Sequence, residues 1–516
     1  MATEKKRKRK RNFRFKWKRV RKGQPRPSQA DSPIVENLLH YAEMKEEGKV
    51  LPFFHQGHRS HFFPDELRQV VGDGTLAMDC SITGEDNIFH SKKCIKVAQE
   101  LAAELYGAAH TRYLLNGSTI GILAMVMAAV QPGDALLLPR NVHRSVLSAL
   151  ILSGARPIYI MPQWHPACGA LSISPDDVRQ AFKQHSEIRA VLLTRPTYYG
   201  LARDIKDIAQ LCHDNNCPLL IDEAHGAHLP FLPPGHVSPA LDLSADVVVQ
   251  STHKTLCSLT GTSWLHVGHD SLVDIERIQF MLNLIQTTSP NNILLASLDA
   301  ARKMMWEKGH ELFAETVKRA ESLRAQIDEI PGLKTLQVSQ IPALAAYQSD
   351  PLKIVINVAR LGLTGIGLFE DLYFLHGFIA ELSDAQNMVL LLTPQDSEES
   401  YRKLVKVLQL VSSKRTAHLV HTIEQNESPF NALPPPTLAL LPREAVFSQK
   451  IKVPFEEAEN RISGETIAPF PPGIPILCPG EIITKEIIEY ALAVRDQNAM
   501  IHANDPTLES VVVVNK

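Results

Sequence analysis

The stretch "VVVQSTHKTL", Val247 to Leu256, decides how the rest of the chain is read. Three β-branched residues in a row predict a strand entering a core. The chain then turns abruptly polar, with Ser251, Thr252, His253 and Lys254 in succession. A lysine at that point is either a solvated strand-end charge or a buried nucleophile. The flanking segments bear on which. From about residue 95 to 265, strand patterns ("GDALLLP", "RPIYIMP", "RAVLLTRP", "PLLIDEAH", "ADVVVQS") alternate with helical ones ("KKCIKVAQELAAELYG", "STIGILAMVMAAV", "NVHRSVLSALILSG", "SPDDVRQAFKQHS", "DIKDIAQLCHDNNC"). Strands that are apolar throughout, separated by helices, predict a parallel sheet covered on both faces. In such sheets ligands bind beyond the carboxyl ends of the strands, where the polar residues after Leu193, Ile221 and Gln250 fall.

Two more features share that edge. Asp222 follows "LLI", so a carboxylate stands where a strand leaves the core; alone it reads equally as a turn cap. In "LLNGSTIGI", Gly117, Ser118 and Thr119 open a helix. Free N–H groups and the helix dipole there suit a phosphate, although the same residues make a good cap. A phosphate cradle, a strand-end carboxylate and a strand-end lysine, in that order on a parallel sheet, resemble the aspartate-aminotransferase fold of pyridoxal-phosphate enzymes. A lysine amine condenses with the cofactor aldehyde, and a carboxylate keeps the pyridinium nitrogen protonated so that the ring accepts electrons.

The motifs "DEAHGAH", "QSTHKTL", "NGSTIG", "RNVHRS", "TRPTYYG" and "TTSPNNILLASLDAAR", with the tail "PREAVFSQKIKVPFEEAENRISGETIAPFPPGIPILCPGE", are similar to the Orn/Lys/Arg decarboxylase family in its short form, without an N-terminal wing domain. The resemblance spans roughly residues 35–500. It implies an α/β fold: a pyridoxal-phosphate fold type I large domain with a mainly parallel sheet over 33–345, a small α/β domain over 346–432 and a C-terminal α+β domain over 433–516, behind a leader of 1–32. It implies that Lys254 is the Schiff-base lysine and that Asp222 pairs with the pyridinium nitrogen. His143 would stack on the ring, Ala224 would pack on its other face, and His225 would lie near the phenolic oxygen. Gly117, Ser118, Thr119, Ser251 and His253 would form the phosphate cup, and Thr288 would reach the phosphate site of a second subunit, making a homodimer the minimal unit. Lys254 or His253 would return a proton to the substrate Cα. The implied reaction is decarboxylation of a basic L-amino acid, with L-arginine to agmatine, in polyamine synthesis, ahead of lysine or ornithine. Glu481, Glu370 and Asp371 are candidates to read the distal cation.

Two departures concern the phosphate cup. "FFHQGHR" (Phe53–Arg59) lacks the proline of the family's usual Pro-Gly-His-Lys segment, and "NGST" reverses the more common order of its hydroxyl residues. Neither removes a chemical type that the reaction needs. Two rival readings stand beside this one. An aminotransferase or carbon–sulfur lyase on the same fold would not need the Pro-rich tail. A non-catalytic relative would not need both Lys254 and Asp222.

The bulk composition sets outer bounds. At 516 residues the chain exceeds one ordinary core, and 44% hydrophobic with 21% charged residues is ordinary for a globular protein. No run of eighteen apolar residues exists, so no transmembrane helix is expected. Seven scattered cysteines predict reduced thiols rather than a disulfide framework or a zinc site. Residues 1–30 hold 14 of the 54 basic residues and 1 of the 56 acidic ones, leaving 40 basic against 55 acidic in the remainder. That basic leader cannot bury a core and reads as disordered; behind it, an acidic body argues against nucleic acid as a partner. A cytoplasmic location is expected, with a plastid or other organelle the alternative if the leader acts as a transit peptide.

Overall fold

In this computed structural model the described residues are 27–50, 58, 62–72, 75, 86–415, 433–470, 473–496 and 500–515. Most of the basic leader and, apart from His58, the "FFHQGHR" segment lie outside them. Val247–Gln250 does run through the core, with all four residues buried. It is one of seven strands in a single sheet: β1 (His110–Leu114), β2 (Ala135–Pro139), β3 (Arg156–Ile160), β4 (Ile188–Thr194), β5 (Leu219–Asp222), β6 (Val247–Gln250) and β7 (Ser263–Val267). Their spatial order is β1-β7-β6-β5-β4-β2-β3. The pairs β2/β3, β2/β4, β4/β5 and β5/β6 are parallel.

β7 runs antiparallel to both of its neighbours. Neither β1 nor β7 has the continuous apolar signature that identified the other strands, because both carry polar residues into the core. His266 is fully buried on β7; its Nδ1 meets Thr111 Oγ1 at 2.8 Å and its Nε2 lies 3.3 Å from Gln250 Oε1. Hydrogen bonds across the strands offset the cost of burying such groups.

Helix α1 (Gly117–Ala129) lies against this sheet with Ile120 to Val126 all buried. A Cβ on Gly121 would stand 2.7 Å from Leu114 and 2.8 Å from Val249, so only glycine lets the helix approach this closely. Burying Ile122, Met125 and Val126 completely contributes about 1.5–3 kcal/mol each. Helix α2 (Arg144–Ser153) ends on Gly154 in the left-handed region, as its sequence predicts. The helix Pro175–Gln184 opens with a capping box between Ser174 and Asp177.

A 37-residue helix, α3 (Asn292–Asp328), leads to a second sheet of four antiparallel strands: Lys334–Thr335, Lys353–Asn357, Asn387–Leu391 and Leu382–Ser383. The short strand Leu382–Ser383 follows the helix Gly365–His376. Before it, Gly377 and Phe378 close the preceding helix by donating to Tyr373 O and Leu372 O, so their N–H groups are not available to a strand.

The C-terminal segment adds a helix (Lys485–Asp496) over a two-stranded ladder, Lys450–Pro454 with Ser510–Val514. Arg443 ties this segment to the large sheet unit by donating to Ile151 O and Leu152 O at the carboxyl end of α2, where a cation is favoured. Among the described residues no helix is long and apolar enough to cross a membrane.

Candidate active site

The opening stretch leaves β6 at Gln250 and makes one helical turn, Thr252–Thr255, which turns Lys254 back over the sheet edge. Asp222 is the last residue of the adjacent strand β5 and is buried. Lys254 and Asp222 line one small pocket together with Ser118, His143, Thr194, Pro196, Tyr198, Ala224 and His225. Segments that are far apart in the chain thus meet where the parallel strands end.

The charges in this pocket balance one another. Burial pushes the Asp222 carboxyl up, while Lys254 and the Ala224 N–H, at 3.1 Å, pull it down. Burial also lowers the Lys254 ammonium, against the pull of Asp222 and Glu381. Lys254 Nζ lies 3.0 Å from His225 Nε2. The His143 ring precedes α2, and its Nδ1 accepts from the Ser145 N–H at 3.2 Å. Burial, then the charges of Lys254 and Arg144, push this ring down to about 4, so it is neutral at physiological pH.

The donor set fits a phosphorylated, ring-nitrogen cofactor. Gly117 begins α1 at φ +70°, with no atom within 4 Å of where a Cβ would stand, and Asn116 makes no side-chain cap. The helix N-terminus is therefore open to an anion. Ser251 Oγ and Thr194 Oγ1 are both buried without a hydrogen-bond partner, a costly state that a bound polar group would relieve. Ala224 lies on the pocket wall.

Five expected residues, Gly117, Thr119, Ser251, His253 and Thr288, are not on the lining of this pocket. Thr119 and Thr288 are exposed and do not line the pocket of their own chain. His253 does not line it either; its Nδ1 is 2.7 Å from Thr262 O and must donate there, leaving only Nε2 for any other contact.

The motifs acquire separate tasks. In "DEAHGAH", Glu223 faces away from the pocket and accepts from Gln250 Nε2 at 2.8 Å and the Ala240 N–H at 2.9 Å, with Arg195 at 3.4 Å. His228, fully buried, meets Asp350 at 3.1 Å. In "TRPTYYG", Thr194, Pro196 and Tyr198 line the pocket, while Tyr199 donates its hydroxyl to Asp384. Sequence reasoning missed Lys353, whose Nζ lies 3.3 Å from His225 Nδ1 and 3.7 Å from Glu381. Its only signal was a lysine at the head of an apolar strand, which also suits a solvated charge.

A larger cavity of about 190 Å³ adjoins the pocket and shares Thr194 and Tyr198 with it. Trp164, Tyr199, Leu382, Ile476 and Tyr490 give it apolar walls, and Asp384 is the only acid on its lining among the described residues. Asp384 accepts from the Gln386 and Asn387 N–H groups at 2.7 Å each. No lysine or arginine among the described residues pairs with it. The three acids expected to read a distal cation are elsewhere. Glu481 is fully buried in an ion pair with Arg140, and neither Glu370 nor Asp371 lines the cavity, Asp371 facing Arg415 at 4.0 Å. Their positions follow from packing: Glu481 is held by the groups that fasten the C-terminal segment, and the other two lie on the helix Gly365–His376.

Known proteins resemble this chain over most of its length. Residues 32–400 match the family described as Orn/Lys/Arg decarboxylase, major domain, and residues 427–508 match its C-terminal domain. An arginine decarboxylase of Bacillus subtilis is 36% identical over 95% of this chain and 99% of its own length, and one of Bacillus anthracis is 37% identical over 95% and 98%. A lysine decarboxylase of Pseudomonas aeruginosa is 23% identical over 82% of this chain. Among solved structures, the Francisella novicida lysine decarboxylase superposes with a TM-score of 0.78 at 21% identity, over 94% of this chain and 81% of that one.

Proposed function

The chain belongs to the Orn/Lys/Arg decarboxylase family, whose members depend on pyridoxal phosphate, and we propose that its reaction is L-arginine to agmatine and CO2. The observation that carries the choice of substrate is near-full-length similarity, at 36–37% identity, to relatives named arginine decarboxylase. Lysine and ornithine decarboxylases match at 23%.

When bound, pyridoxal phosphate supplies an aldehyde for Lys254 and a ring that accepts the electron pair released at Cα. The N-terminus of α1, with Gly117 and Ser118, and the Ser251 hydroxyl would hold the phosphate. Asp222 would hold a proton on the ring nitrogen; burial among apolar strands strengthens that charge interaction. His143, neutral, would pack on the ring face without adding a charge. Lys254, released when substrate binds, would return a proton to Cα from its position beside His225. Its lowered ammonium favours the neutral amine needed for the first attack.

The adjoining cavity supports a long substrate. Its apolar walls suit an aliphatic side chain, and Asp384 carries a negative charge with no lysine or arginine paired to it among the described residues. We read Asp384 as the acid that meets the distal guanidinium. Asp384→Asn keeps an oxygen for the Gln386 and Asn387 N–H groups but removes the charge. Its expected effect is a rise in KM for L-arginine of roughly 10–100-fold, the worth of a charged hydrogen bond, with a smaller change in kcat. Equal KM for variant and parent would remove Asp384 from this role.

The exposure of Thr288 outside its own pocket supports a homodimer in which it serves a second copy. Full activity in a species that sediments as a monomer would overturn that. The direct test of function is CO2 release with L-arginine, L-lysine and L-ornithine supplied separately. Release from L-arginine at the highest kcat/KM is expected, and preference for another substrate, or oxidation-state chemistry requiring a 2-oxo acid, would replace this reading.

A further inference from the structure

A buried lysine next to a histidine needs an explanation, because an ammonium in an apolar interior is costly unless paired. Lys353 heads the strand Lys353–Asn357 of the smaller sheet, and its side chain is fully buried. Its stem lies over Gly200. A Cβ on that glycine, which sits at φ +83°, would be 2.7 Å from Lys353 Cβ and 2.9 Å from Cγ. The glycine ending "TRPTYYG" therefore leaves the lane through which Lys353 reaches the pocket. The ammonium ends 3.3 Å from His225 Nδ1, closer than the 3.7 Å to Glu381, whose side chain is 35% exposed.

We infer that Lys353 is a positioning residue for the pyridoxal-phosphate site: it donates to Nδ1 of His225, holds that imidazole neutral, and keeps its one proton on Nε2, facing Lys254. The inference rests on the functional reading above. Burial lowers Lys353, and Glu381 and Asp350 oppose that by favouring its charged form; as an ammonium it has donors only, so the ring nitrogen facing it must offer a lone pair. The other nitrogen then carries the proton and points at Lys254 Nζ, 3.0 Å away. That contact needs an uncharged Lys254, the form that attacks an aldehyde.

A doubly protonated ring would turn a second N–H toward the Lys353 ammonium, with no lone pair there to receive it. The charged groups around His225 favour the neutral form: Lys353 and, when charged, Lys254 at the two nitrogens, His228 on the same turn and His143 across the pocket. Among the described residues Glu381, 3.8 Å from Nδ1, opposes them, with Asp222 across the pocket and Asp350, which pairs with His228 and acts on Lys353, farther off. Burial acts in the same direction and, with the two lysines, holds His225 well below its ordinary value.

Two measurements test this. In the holoenzyme, the pH midpoint of the bound cofactor's visible absorbance reports the charge around Lys254. Lys353→Met removes a nearby cation and is expected to raise that midpoint by about one pH unit, with kcat reduced about tenfold and KM little changed. Lys353→Arg, which keeps the charge, should return the midpoint most of the way. An unmoved midpoint in Lys353→Met, or an equal shift in Lys353→Arg, would overturn the inference.

The second measurement needs no substitution in the protein observed. ¹⁵N spectra of the cofactor-free wild type, with His225 assigned by comparison with His225→Asn, should show Nε2 protonated and Nδ1 bare. The opposite tautomer, or a charged ring at neutral pH, would overturn it even if Lys353→Met fails to load cofactor. Absence of any visible band in the wild type would instead count against the functional reading and leave the tautomer result standing.

Discussion

Lys254→Ala is expected to release no CO2 from L-arginine above background, a loss of at least about 10³-fold, or ~4 kcal/mol of transition-state stabilisation. It should also lack the visible absorbance that the parent protein shows with pyridoxal phosphate. No other amine can take over from its position. Lys353 is the other buried lysine at the site, and it lies behind His225, against Nδ1, while Lys254 faces Nε2. Added methylamine should restore a fraction of activity, because the missing group is an amine and not a structural strut. The variant also makes a prediction about the cofactor-free fold. Without Lys254, Asp222 keeps its burial and loses the cation that offsets it, so its carboxyl titrates higher still. A carboxyl whose folded value exceeds the unfolded 3.8 contributes stability that is present below 3.8 and lost as pH rises through the folded value. Relative to wild type, Lys254→Ala should therefore be most destabilised at neutral pH and least at pH 3–4. A denaturant midpoint series across that range checks it, and a pH-independent difference would mean that Asp222 is not sensitive to Lys254.

Why were Lys254 and Asp222 legible in the sequence while Lys353 was not? The first two end apolar strands of a βα alternation, and topology alone sends such positions to one edge of the sheet. Each is also a residue type that a buried strand end rarely tolerates without a use. Lys353 enters from a different sheet, more than 90 residues after Lys254, and nothing in "KIVINV" tells which end of its lysine meets solvent. The same limit explains the acids. Asp384 sits in "LSDAQN", an ordinary turn sequence, and its place on the cavity wall follows from how the smaller sheet packs beside Tyr199. Strands β1 and β7 were obscured for another reason. They carry buried polar residues such as His266, whose partner Thr111 lies across the ladder, and periodicity cannot register a partner 155 residues away.

Glu481→Ala is expected to cost about 3–5 kcal/mol of stability, the usual penalty for leaving a buried charge without its partner. Arg140 follows β2 and is 2% exposed; its Nε and Nη2 meet the two Glu481 oxygens at 3.1 and 2.9 Å. Its remaining hydrogen bonds go to Pro475 O and Ile476 O, while Glu481 also accepts from the Cys478 N–H. Among the described residues every hydrogen-bond partner of that guanidinium thus lies in the C-terminal segment, while Tyr159 of the large sheet stacks at 5.4 Å, and the pair fastens the segment to the end of the large sheet beside the cavity. Arg140 cannot escape by deprotonating. In Glu481→Ala the charge must therefore draw in water or expel the segment, so Ile476 and Tyr490 would leave the cavity wall and KM for L-arginine would rise with the loss of stability. The pair itself is not expected to be strongly stabilising, since desolvation of both ions offsets most of their attraction. The double variant Arg140→Met with Glu481→Leu should accordingly recover most of the stability lost in Glu481→Ala, and part of the activity with it. If the double variant regains stability while KM stays as high as in Glu481→Ala, Glu481 meets the substrate directly, and the assignment of the distal cation to Asp384 would have to be revised.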